Sequence, residues 1–225
     1  MSNLFNFGSF DTFLIRAVML AVPALICITF HELAHGYTAY RLGDRTAKDM
    51  GRLTLNPIKH LDPIGLLMIL IFRFGWAKPV PVNMYNFSNP RRYMAITAIA
   101  GPLSDIILAM FVMLIYGFVI AASGGISEEG AGAVIQEIIL STVYISIALA
   151  MFNLMPIPPL DGSKVLFSLL PDGLYTKLMR YERFGIILLI IVLNTPVFRS
   201  TIVKLTGTLF NSFFAVAEVS YSLVS

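Results

Sequence analysis

The chain has 225 residues, of which 57% are hydrophobic and 13% charged, and its formal net charge is +3. Soluble domains carry about a quarter charged residues, so this composition places the chain in a lipid bilayer, and its small, dispersed positive charge leaves no nucleic-acid footprint. Cys27 is the only cysteine and there are three histidines, which excludes an internal disulfide, a cysteine-rich metal ribbon and any site built from many imidazoles.

An apolar helix is predicted from about Asp11 to Tyr40, with Arg16 able to snorkel near its start and Pro23 placed to bend it. No positively charged leader precedes this run and no small-residue cleavage site ends it, so it is expected to remain in the mature chain. Residues 31–35 read HELAH, the H-E-x-x-H pattern. On a helix, positions i and i+4 project from one face one turn apart, where two ligands of a single metal ion must stand. A rise of about 1.5 Å per residue puts both histidines roughly 10–15 Å from the helix end near Arg41, inside the bilayer.

Between Arg41 and Asp62 the chain turns polar, with Arg41, Arg45, Lys48, Arg52 and Lys59. Within it, Gly51 to Pro57 alternates like a short strand that ends in a turn. Ile64 to Phe72 is too short to span hydrocarbon and reads as a re-entrant or interfacial segment. Gly75 to Asn83 is held extended by Pro79 and Pro81 and carries an interfacial tryptophan, Trp76. A long apolar helix follows from Tyr93 to Ala122, with an interruption expected at Gly101-Pro102, and Val134 to Met155 returns through the membrane. Residues 184–198 and 200–224 form two short spans or one kinked span.

The expected fold is therefore an all-α polytopic membrane protein, a single domain over residues 1–225. It has about five or six transmembrane or re-entrant helices and a short β-hairpin-like element at the membrane edge. Basic residues gather in 41–92 and 164–183 and acidic residues in 123–130, which by the positive-inside rule puts the loops near HELAH in the cytoplasm and the N-terminus outside.

A catalytic zinc usually takes three protein ligands and keeps one position for water, so HELAH requires a third partner. His60, the remaining histidine, lies in the polar loop and is expected to be exposed or to face headgroups. Cys27 shares the helical face of His31, although a lone helix cysteine is ordinarily a small buried hydrophobe. Carboxylates in apolar surroundings are costly and mark function. Asp161 follows Pro156, Pro158 and Pro159, and such irregular backbone at membrane depth must line a cavity or be buried in protein. Its two readings are a metal ligand and a cap on the helix beginning at Gly162. Asp105, about twelve residues into its helix, reaches a similar depth, and accepting a histidine N–H there is favoured over direct ligation.

Taken together, the HELAH helix, Gly51 to Pro57, Gly75-Trp76-Ala77-Lys78-Pro79-Val80-Pro81-Val82-Asn83, Asn89-Pro90-Arg91-Arg92, Ala100-Gly101-Pro102 and Asn153 through Gly162 occur in an order that resembles the site-2 protease family of intramembrane zinc metalloproteases. The resemblance covers most of the chain, in a compact form without appended soluble domains. It implies one zinc ion per chain held by His31, His35 and Asp161, with Glu32 as the base. It further implies that Asn153 binds the substrate backbone or the developing oxyanion, and that the loop from Trp76 to Asn83 lies against the substrate. The implied partners are a transmembrane protein substrate and the lipid bilayer of the plasma membrane, with the active site opening to the cytoplasm. The resemblance names no regulatory partner. Asp105 departs from the family, which often has asparagine there. A rival function from another class is a metal transporter using His31, His35, Asp105 and Asp161, which would require polar groups staged across the membrane. Further rivals are a silent membrane scaffold without zinc and a non-haem iron oxygenase, in which Glu32 would have no task.

Overall fold

The computed structural model describes residues 10–65, 77–126 and 130–223. The chain folds into α1 (Phe10–Arg41), α2 (Thr46–Asp49), α3 (Pro90–Ser123), α4 (Gly130–Asn153), α5 (Asp161–Ser168), α6 (Asp172–Tyr181), α7 (Gly185–Leu193) and α8 (Pro196–Ser222). Four of these are long and apolar enough to cross a membrane: α1 from Val18 onward, α3, α4 and α8.

Each long helix sorts its residues by face. Along α1, Pro23, Cys27, His31, His35 and Ala39 are all buried at successive i+4 positions, whereas Val22, Ile26 and Phe30 are exposed one position earlier in each turn. On α3 the buried stripe runs through Gly101, Asp105, Ala109, Met113 and Tyr116, and the opposite stripe of Leu103, Ile107 and Phe111 is exposed. Large apolar side chains exposed at helical spacing face lipid in a membrane protein. Away from the histidines, Ala109, Met113 and Tyr116 of α3 meet Val143 and Ile147 of α4 and Ala217 of α8 in the main apolar core.

Helix ends follow local chemistry. The Asn89 side chain accepts the Arg92 N–H and Pro90 opens α3 where no N–H is required; Gly124 closes it in the left-handed conformation with φ 75°. Thr195 and Pro196 start α8 in the same way. α3 runs unbroken through Gly101-Pro102, correcting the expected interruption. Proline is tolerated inside a membrane helix whose neighbours hold it, and both residues are buried in that packing.

The C-terminal region resolves into one span, α8, preceded by the nine-residue α7, which is too short to cross. The expected count of five or six helices is thus four membrane-length helices among the described residues; most of the re-entrant segment 64–72, and Trp76, lie outside them. The hairpin-like element is not found among the described residues, which contain no strand. Side chains take the place of a ladder there: Thr54 Oγ1 accepts the Asn56 N–H, Asn56 Oδ1 accepts the Ile58 N–H, and one isolated main-chain bond joins Lys78 N–H to the His60 carbonyl at 2.9 Å.

Candidate metal centre

α1 presents His31 and His35 towards α3 and α5. After α4 ends at Asn153, the proline-rich turn folds back through hydrogen bonds from Ile157 N–H to Met155 O and from Leu160 N–H to Ile157 O, which brings Asp161, the first residue of α5, against both rings. His31 Nε2 and His35 Nε2 are 3.0 Å apart. Asp161 Oδ2 lies 3.3 Å from the first and 3.0 Å from the second. All three side chains are buried.

The far nitrogens of both rings are already committed. His31 Nδ1 donates to Asp105 Oδ2 at 2.8 Å, and His35 Nδ1 donates to the Thr97 carbonyl at 2.7 Å. Neutral imidazole carries one proton, so donation through Nδ1 leaves each Nε2 a bare lone pair. Three lone pairs then converge at a spacing close to about 3.3–3.4 Å, the ligand–ligand edge of a tetrahedron with roughly 2.0–2.1 Å zinc bonds. Three acceptors facing one another repel unless a cation lies between them, so the donor set fits zinc.

Gly101 makes the space for this arrangement. A Cβ there would collide with His35 Nε2 and stand 2.7 Å from His31 Cε1. The helix that carries Asp105 can press against the rings only because this position has no side chain. Ser146 Oγ, from α4, donates to the Asp105 carbonyl at 2.8 Å and fixes that turn, while Asp105 Oδ1 is buried with no hydrogen-bond partner among the described residues.

Beside the triangle opens a cavity of about 700 Å³, lined by Glu32, Asn153, Lys164, Glu182 and the loop residues Ala77, Pro79, Val80 and Val82. Glu32 Oε2 accepts the Val80 N–H at 2.7 Å, and Asn153 Nδ2 donates to Leu149 O at 3.1 Å. Lys164 Nζ lies 3.6 Å from Asp161 Oδ1 and 3.8 Å from Glu182 Oε1.

The residues singled out by sequence thus separate. His31, Glu32, His35, Asp105, Asn153 and Asp161 converge on one place, in contrast to the staging that a transport route requires. Cys27 stays outside the triangle with its thiol 3.5 Å from the Thr142 carbonyl. His60 is a correction: it is buried, not exposed, and its ring donates through Nε2 to the Thr54 carbonyl at 2.9 Å, tying the polar loop to itself. Thr97, Arg52, Asp44 and Lys164 were not foreseen. Thr97 acts through its backbone, which sequence cannot display, whereas Lys164 stands one helical turn after Asp161 and was open to detection by that spacing.

The model of peptidase family M50 matches residues 119–194, a stretch that includes Asn153 and Asp161. Five relatives carry names that begin "Putative zinc metalloprotease". YwhC of Bacillus subtilis is 41% identical over 177 residues, covering 79% of this chain and 80% of its own. The chain belongs to peptidase family M50. Rip2 of Mycolicibacterium smegmatis is 29% identical over 215 residues, covering 92% of this chain and 77% of its own. MJ0611 of Methanocaldococcus jannaschii is 29% identical over 164 residues, covering 72% and 75%. No solved structure matches the chain. The M50 assignment agrees with the site-2 protease resemblance reached from the motifs, and it makes the chain a zinc metalloprotease.

Proposed function

We propose that the chain is an intramembrane zinc endopeptidase that hydrolyses peptide bonds in or near transmembrane segments of other proteins, with residues 1–225 forming one membrane-embedded domain. The observation that carries this reading is the convergence of His31 Nε2, His35 Nε2 and Asp161 Oδ2 with both Nδ1 atoms spent elsewhere, beside a carboxylate and an amide in one cavity.

In this reading His31, His35 and Asp161 hold the ion. When bound, zinc activates water and polarises the scissile carbonyl. Glu32 takes the water's proton and returns it to the leaving nitrogen; its Oε2 is held by Val80, so Oε1 is the oxygen left for that work. Asn153 turns its amide from Leu149 towards the developing oxyanion, a contribution of a few kcal/mol for a well-placed donor. Asp105 and the Thr97 carbonyl hold the two rings in the ligating tautomer. A transmembrane helix must unwind before its carbonyls can be attacked, and the segment 77–83 lies where an unwound strand would run. The clustering of basic residues in 41–92 supports a site that opens to the cytoplasm, and the plasma membrane is the bilayer proposed for it.

The test is zinc content together with cleavage of a membrane-spanning peptide by purified protein in lipid vesicles. Glu32→Gln is expected to lower cleavage by about 10²- to 10⁴-fold while zinc stays near one per chain. Undiminished cleavage by that variant removes Glu32 from its role, and a zinc-replete parent that cleaves no peptide overturns the proteolytic reading.

A further inference from the structure

The base hangs on a strap, and the strap hangs on a buried arginine. Arg52 is only 6% exposed, yet among the described residues no carboxylate pairs with it. Its Nη2 instead donates to two consecutive main-chain carbonyls, Lys78 O at 2.8 Å and Pro79 O at 3.3 Å, while Nε is buried without a partner. A guanidinium buried on neutral acceptors is costly, because neither carbonyl repays the loss of hydration as an anion would. What the arginine fixes is therefore informative.

The next residue after those two carbonyls is Val80, whose N–H meets Glu32 Oε2 at 2.7 Å. The same residue is seated on α1 by shape. A Cβ on Gly36, next to His35, would stand 2.8 Å from Val80 Cγ1 and 2.7 Å from Leu53 Cδ2, so the missing side chain at 36 is the socket that receives Val80. Flanking contacts hold the strap from both ends: Lys78 N–H on the His60 carbonyl, and Asn83 N–H on Asp44 Oδ2 at 2.7 Å. Pro79 and Pro81 have no N–H, so Val80 is the one residue between them that can present a donor to the base.

We infer that Arg52 is a positioning residue for the base: by gripping the Lys78 and Pro79 carbonyls it holds the Val80 N–H against Glu32 and so selects which carboxylate oxygen faces the attacking water. This rests on the zinc-endopeptidase reading and assigns a task to a side chain that touches neither metal ligand nor substrate. The alternative, a purely architectural arginine, predicts that its loss acts through folding, zinc retention or peptide binding.

The experiment compares parent, Arg52→Ala and Arg52→Lys, each also in a Glu32→Asp background, where the shortened side chain no longer reaches Val80. All are measured in lipid vesicles for zinc per chain and for kcat and KM on one membrane-spanning peptide. In the parent background, Arg52→Ala is expected to lower kcat per bound zinc by about 10- to 100-fold with KM changed less than about threefold, the size of effect expected from misplacing a reacting group by about an ångström. In the Glu32→Asp background the same change is expected to cost less than about threefold, because the two residues act along one line. Arg52→Lys, which keeps the charge but not the planar fork, is expected to fall between and covers the case in which the alanine variant does not fold. An equal loss in both backgrounds, a loss wholly accounted for by zinc or by KM, or no loss overturns the inference and leaves the proteolytic reading intact. A zinc-loaded parent that cleaves nothing overturns both.

Discussion

Asp44 and Asp161 are both buried carboxylates within reach of α1, and they are surrounded by opposite chemistry. Asp44 accepts four neutral donors: Thr46 N–H and Oγ1, Asn83 N–H and Asn86 Nδ2. Asp161 Oδ2 instead faces two imidazole nitrogens whose protons sit on the far side of their rings. A carboxylate with its lone pairs filled by donors is a structural clamp, here pinning residues 83–86 to the end of α1. One that is turned towards other acceptors gains stability only from a cation. Satisfaction of lone pairs, more than burial, distinguishes the clamp from the site.

If that distinction holds, removing Asp161 should have the largest effect and should act through the metal. Asp161→Ala is expected to bring zinc from about one per chain to near none and to abolish peptide cleavage, with helix content unchanged by circular dichroism. Zinc retained at full occupancy would break the comparison, since Asp161 would then be one more satisfied acid.

Gly101→Ala sharpens the same point from the opposite helix. Alanine in a helix interior is ordinarily favoured over glycine by about 1 kcal/mol. Here the added Cβ runs into the His35 ring, so the expected result is loss of most bound zinc and of cleavage in a protein that keeps its helices. A variant that is merely more stable and still active would mean the rings have room that the geometry denies them.

A smaller effect is expected one shell further out. Asp105→Ala removes the acceptor of the His31 N–H and should weaken zinc binding by about 10- to 100-fold in competition with a chelator, the usual cost of losing such a partner. Asp105→Asn keeps an acceptor oxygen at the same reach and should lose less than the alanine variant. Equal losses would show that the negative charge, not the hydrogen bond, is what His31 requires.

What was legible beforehand follows the same chemistry. HELAH and the Asn153–Gly162 stretch pointed to the three residues that the fold brings together because side chains at helical spacing and a proline-rich helix break are written in residue types. The membrane helices were legible from their apolar runs to within a few residues. The interruption at Pro102 was misread because a proline's effect depends on neighbours that only packing supplies. His60 was misread for a related reason: its ring is buried with Nε2 on the Thr54 carbonyl, and a main-chain acceptor has no letter in a sequence. The strap from Lys78 to Asn83 was seen as extended, but its attachment to Glu32, Arg52 and Asp44 runs almost wholly through backbone groups.

The mildest prediction concerns the clamp. Burial pushes the Asp44 carboxyl up, but hydrogen bonds from Thr46, the Asn83 N–H and Asn86 outweigh it and hold the group below its ordinary value of 3.8. A carboxylate whose pKa is lowered by folding stabilises the folded state above its unfolded value and loses that contribution as pH falls through the folded one. The docking of residues 83–86 should therefore be insensitive to pH from neutrality to about 5 and weaken only below about 4, read as faster hydrogen exchange at the Asn83 amide. Asp44→Ala should produce that loosening at neutral pH at a cost of about 1–3 kcal/mol, the penalty for leaving the partners of a buried group unpaired. Zinc content should not change, because no donor of the clamp touches the triangle. Zinc lost in proportion to loosening would instead make the strap part of the metal's support, and the two carboxylates would no longer be separable.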